Sequence, residues 1–157
     1  MTALIRYRIY SKDNSYDEQI YGLVRHILSQ ICDDGEFKGY YIHPEYHNGE
    51  PLDTITEDEK RAMFSFYYPG EALFGLGLFV SNFNDELCET VKNLSRKALD
   101  WLVNVRPNKY PDLFDSLPSD GWLMQAIEIW CKIEGFRKDD YINFVNQYDK
   151  KFKAVFK

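Results

Sequence analysis

Leu87, Val91, Leu94, Ala98, Trp101, Leu102 and Val105 recur at intervals of three and four residues. Such a stripe makes one side of a helix apolar for about six turns. A chain carrying it must supply a second layer to bury that side, so this stretch commits the chain to a packed, layered domain. Pro107 is where the spacing predicts the helix to stop, because proline removes a donor and crowds the preceding turn. Two further stripes follow. Leu123, Ala126, Ile127, Trp130 and Ile133 lie behind Ser119 as a candidate cap, and Gly135 closes that helix. Tyr141, Phe144, Val145, Tyr148, Phe152 and Val155 lie behind Asp139 or Asp140.

The first half of the chain reads differently. Residues 3–10 alternate, with Ile5, Tyr7 and Ile9 opposed to Arg6, Arg8 and Tyr10, the pattern of a half-buried strand. Ser15 and Glu18 have the spacing of a capping box. After them Ile20, Leu23, Val24, Ile27, Leu28 and Ile31 predict an amphipathic helix, stopped by Asp33, Asp34 and Gly35. Residues 36–43 suit a second strand. Residues 44–59 read as a carboxylate-rich loop, with a short helical turn at 57–61. Residues 63–68 and 73–80, either side of Pro69-Gly70, suit a hairpin rich in Phe and Tyr. Gly75 and Gly77 share one side of the second of these strands, where they let a helix or ring approach closely. The expected fold class is therefore α+β. A mostly antiparallel sheet of about four strands in the N-terminal half would be packed by an N-terminal helix and three C-terminal amphipathic helices. No internal repeat, low-complexity tract or linker divides the 157 residues, so one domain, 1–157, is expected.

Chemistry-bearing motifs are scarce. No phosphate loop, dinucleotide fingerprint, nucleophile elbow, zincin helix or EF-hand pattern occurs. His43, His47 and Glu50 could share one side of a helical turn begun by Pro44 and offer two nitrogens and an oxygen to zinc. No fourth ligand can be named, so the expectation is no metal and no cofactor. Cys32, Cys88 and Cys131 are odd in number and widely spaced, as reduced core thiols of a cytoplasmic protein are. Arg6 and Arg8 interrupt the N-terminal apolar run that a secretory signal would need.

Charge is the least random feature. Between Asp13 and Glu59 stand twelve acids against Arg25 and Lys38, a net of 2 − 12 = −10. The rest of the chain holds 17 bases and 13 acids, or +4, which returns the overall −6. Carboxylates clustered with tyrosines are the composition of a site for a basic protein partner, with tyrosines as anchors and carboxylates as steering charges. The expected contact residues are Asp33, Asp34, Tyr41, Glu45, Tyr46, Glu50 and Asp53. The expected function is occlusion of a basic partner by a non-enzymatic cytoplasmic domain, as an immunity protein occludes a toxin or nuclease. No direct nucleic-acid or membrane contact is expected. The alternatives are a small-molecule-binding domain or enzyme with its polar end at His43, His47 and Glu50, and a phage-type inhibitor, regulatory subunit or DNA mimic.

Overall fold

A computed structural model describes residues 1–38, 56, 58, 66–114 and 120–155. Among the described residues the fold is all-α. Helix α1 spans Thr2–Ser11, α2 Asp17–Ser29, α3 Tyr67–Asn82 and α4 Leu87–Asp100. A π-helical turn, Trp101–Val105, and a last α turn, Arg106–Lys109, prolong α4. A 3₁₀ turn at Pro111–Phe114 precedes α5, Gly121–Trp130, and α6, Asp139–Val155.

The α+β expectation is overturned among the described residues, where the strands expected at 3–10 and 73–80 are helical for definable reasons. Residues 3–10 form most of α1. Their alternation is too short to separate period two from period 3.6. In the helix Ile5 is fully buried, Leu4 and Ile9 pack at the margin, and the tyrosines turn outward. Residues 73–80 lie inside α3, buried by neighbours on several sides, and an apolar run buried all round carries no periodicity to read. Pro69 is not a hairpin turn. It sits in the first turn of α3, where its missing N–H would have no intrahelical partner. Of the expected strand at 36–43, Phe37 makes a lone antiparallel bridge to Ile31, and residues beyond 38 lie outside the described set, as do 57 and 59–65. Gly35 does adopt the left-handed conformation, φ 97°. It serves a tight turn in which Cys32 N–H donates to Glu36 O at 2.8 Å.

Local signals were partly right in α2. Ile20, Val24 and Leu28 are its buried face, as the stripe predicts. The capping box does not form: the N-cap is Tyr16, and Ser15 instead donates through its backbone N–H and its hydroxyl to Asp13. Pro107 does not end α4. The Arg106 N–H reaches back to Trp101 O, a five-residue ring, and this wider turn relieves the crowding that proline would bring to a regular helix. The cap of α5 is Asp120, whose carboxylate accepts the Leu123 N–H at 3.3 Å.

The helices fall into two layers. Gly70 faces Leu123 and Gly77 faces Ile129 and Trp130, so α3 and α5 run side by side in the same sense. Met1 and Thr2 reach Gly75, and Arg8 lies over the Phe83 ring at 4.4 Å, which places α1 beside α3 in that sense too. The other layer contains α2, α4 and α6. Tyr21 meets Asp85, Lys97 bonds Asp33 O, and Lys138 bonds Asp100.

Glycine makes the closest crossing possible. A Cβ on Gly70 would lie 2.3 Å from the Leu123 backbone nitrogen. One on Gly77 would lie 2.6 Å from Ile129 Cγ2 and 3.2 Å from Trp130 Nε1. The close approach expected at Gly77 is real, but it joins two helices and not a helix to a sheet. Trp130, fully buried, donates its indole N–H to Leu73 O at 2.9 Å. Trp130→Phe leaves that buried carbonyl with one acceptor site unused, and chemical denaturation is expected to show a loss of about 1–3 kcal/mol.

Candidate functional site

The candidate contact surface begins at the two ends of α2. Glu18 lies in its first turn, and Asp33 and Asp34 follow its last turn; all three are exposed. Asp34 Oδ1 accepts the Glu36 N–H at 3.0 Å, which holds the turn rigid. Lys97 fastens the same turn from α4 by donating to Asp33 O at 3.1 Å, so the Asp33 carboxylate is presented on a fixed backbone. Glu18, Asp33 and Asp34 form no ion pair among the described residues.

The fold neutralises part of the acidic segment. Asp17 is bound by Arg8 at 2.6 Å, and Glu36 by Lys109 at 3.0 Å. Burial pulls the Lys109 ammonium down, but the Glu36 carboxylate outweighs it and the pKa is raised overall. Asp13 is held below the usual carboxylate range by hydrogen bonds from the Ser15 backbone and hydroxyl and from the Tyr7 hydroxyl. Of the predicted contact residues the structure therefore places Asp33 and Asp34 together at one turn. Tyr41, Glu45, Tyr46, Glu50 and Asp53 lie outside the described residues, as do His43 and His47. Among the described residues no group of three His, Cys, Asp or Glu side chains is arranged to hold a metal. Cys88 is buried and Cys32 and Cys131 are half-buried.

A second polar centre was not anticipated. Arg106 and Asp120 form an ion pair in which both side chains are almost wholly buried. The guanidinium lies 5.5 Å from the Phe66 ring centre and 5.4 Å from that of Phe114. Tyr148 of α6 comes close enough to feel both charges, and its hydroxyl is buried without a hydrogen bond among the described residues. Burial pushes the Tyr148 phenol up, and the Asp120 charge adds to that. Burial also raises Asp120, against the pull of Arg106. The pair ties the prolonged end of α4 to the start of α5. Nothing in the spacing of Arg106 and Asp120 marks them, because residues fourteen apart across a proline-rich connection have no shared periodicity.

A parallel latch joins α4 to α6. Lys138 Nζ contacts both oxygens of Asp100 at 2.7 Å, and the Tyr141 hydroxyl donates to Asp100 Oδ1 at 2.6 Å. Tyr21 donates to Asp85 in the same manner, which, with burial, pushes its phenol up to about 12. The ordinary value is 10.0. A raised native pKa means that the folded state keeps a proton the unfolded chain has lost. The contribution of Tyr21 is therefore complete below pH 10 and is lost as pH rises from 10 to about 12. Unfolding curves across that window are expected to steepen less for Tyr21→Phe than for the wild type, with tyrosinate absorbance as a second readout.

No family model, curated protein or solved structure matches this chain. No helix among the described residues is long and apolar enough to cross a membrane.

Proposed function

We propose that this chain is a binding protein that docks on, and occludes, a basic surface of a protein partner. The observation that carries the reading is the state of its carboxylates. Glu18, Asp33 and Asp34 are exposed and form no ion pair among the described residues, in a chain of net charge −6. Asp33 and Asp34 sit on a turn fastened at both ends, so presenting them to a partner costs little ordering entropy. Carboxylates of this kind mainly speed encounter with a positive partner, and the speed falls with salt. The acidic segment continues in the sequence through Glu45, Glu50 and Asp53. The partner is proposed as a basic protein surface in general; a toxin or nuclease domain is one member of that class, and no relative directs the choice.

The test is kinetic. Affinity capture on the immobilised wild-type chain is followed by association measurements at several salt concentrations. The captured partner is expected to be basic. A Glu18→Lys/Asp33→Lys/Asp34→Lys variant is expected to associate about tenfold or more slowly at low salt and to show a shallower salt dependence. Glu45→Lys/Glu50→Lys/Asp53→Lys is expected to act in the same direction. Unchanged association of both variants at low salt, or an acidic partner, refutes the reading.

A further inference from the structure

We draw no further inference here: the strongest candidate, the exposed face of α2 around Gly22 with Glu18, Gln19 and His26 beside it, adjoins the acidic surface already described, and nothing in the structure shows what covers it.

Discussion

Gly70→Ala is expected to lower the unfolding free energy by about 3 kcal/mol, the upper end of the usual overpacking range. The added methyl would lie 2.3 Å from the Leu123 nitrogen and 2.8 Å from its Cα. These are backbone atoms in the first turn of α5, and they cannot rotate aside as a side chain can. Either α3 and α5 separate, which loosens Phe74 against Trp122 and Trp130 against Leu73, or the start of α5 unwinds from its Asp120 cap. Gly75→Ala is the contrast. Its methyl would meet Met1 Cε at 2.4 Å, the far end of a flexible side chain that can swing away. Alanine also favours the helix by about 1 kcal/mol over glycine, so the net effect there is expected to be close to zero. Urea denaturation of the two variants separates the cases, and equal losses would show that the α3–α5 crossing is not as tight as described.

The second large effect lies at the buried ion pair. Asp120→Ala breaks the buried pair with the Arg106 guanidinium, and removes the cap of α5 as well. The expected loss is about 3–5 kcal/mol for the broken pair, enough to unfold much of the population of a marginally stable domain. Arg106→Leu/Asp120→Ser replaces the charge with apolar volume beside Phe66 and Phe114 and keeps a hydroxyl to cap Leu123. It is expected to recover most of the loss by denaturation. If the double variant is as unstable as Asp120→Ala, the damage comes from lost packing and not from the broken charge pair.

The helices α2, α4, α5 and α6 were legible because each is amphipathic. One side is apolar and the other polar, so the 3.6-residue period is written in the residue order. Ile20, Val24, Leu28, Val91, Ala98, Leu123, Ala126, Ile127, Trp130, Tyr141, Phe144 and Tyr148 all reach the core that those stripes predict. α1 and α3 were misread for opposite reasons. α1 is too short for its alternation to be decisive, and its outer side carries tyrosines where a polar residue would have revealed the period. α3 is enclosed by α1, α4 and α5 and has no polar side, so Phe74, Leu76, Leu78 and Val80 look the same as a central strand.

The site was legible in kind and not in detail. The acidic segment is visible as composition, yet the capture of Asp17 by Arg8 and of Glu36 by Lys109 requires partners 9 and 73 residues away. The amphipathic stripes, the left-handed turn at Gly35 and the charge imbalance are properties of neighbouring residues, and local energetics are enough to impose them. Which carboxylates remain available, which glycines touch backbone, and where a buried charge finds its counterion depend on contacts between distant segments. Those are set by how the layers stack, because a side chain's surroundings are made by the helices that land beside it and not by its neighbours along the chain.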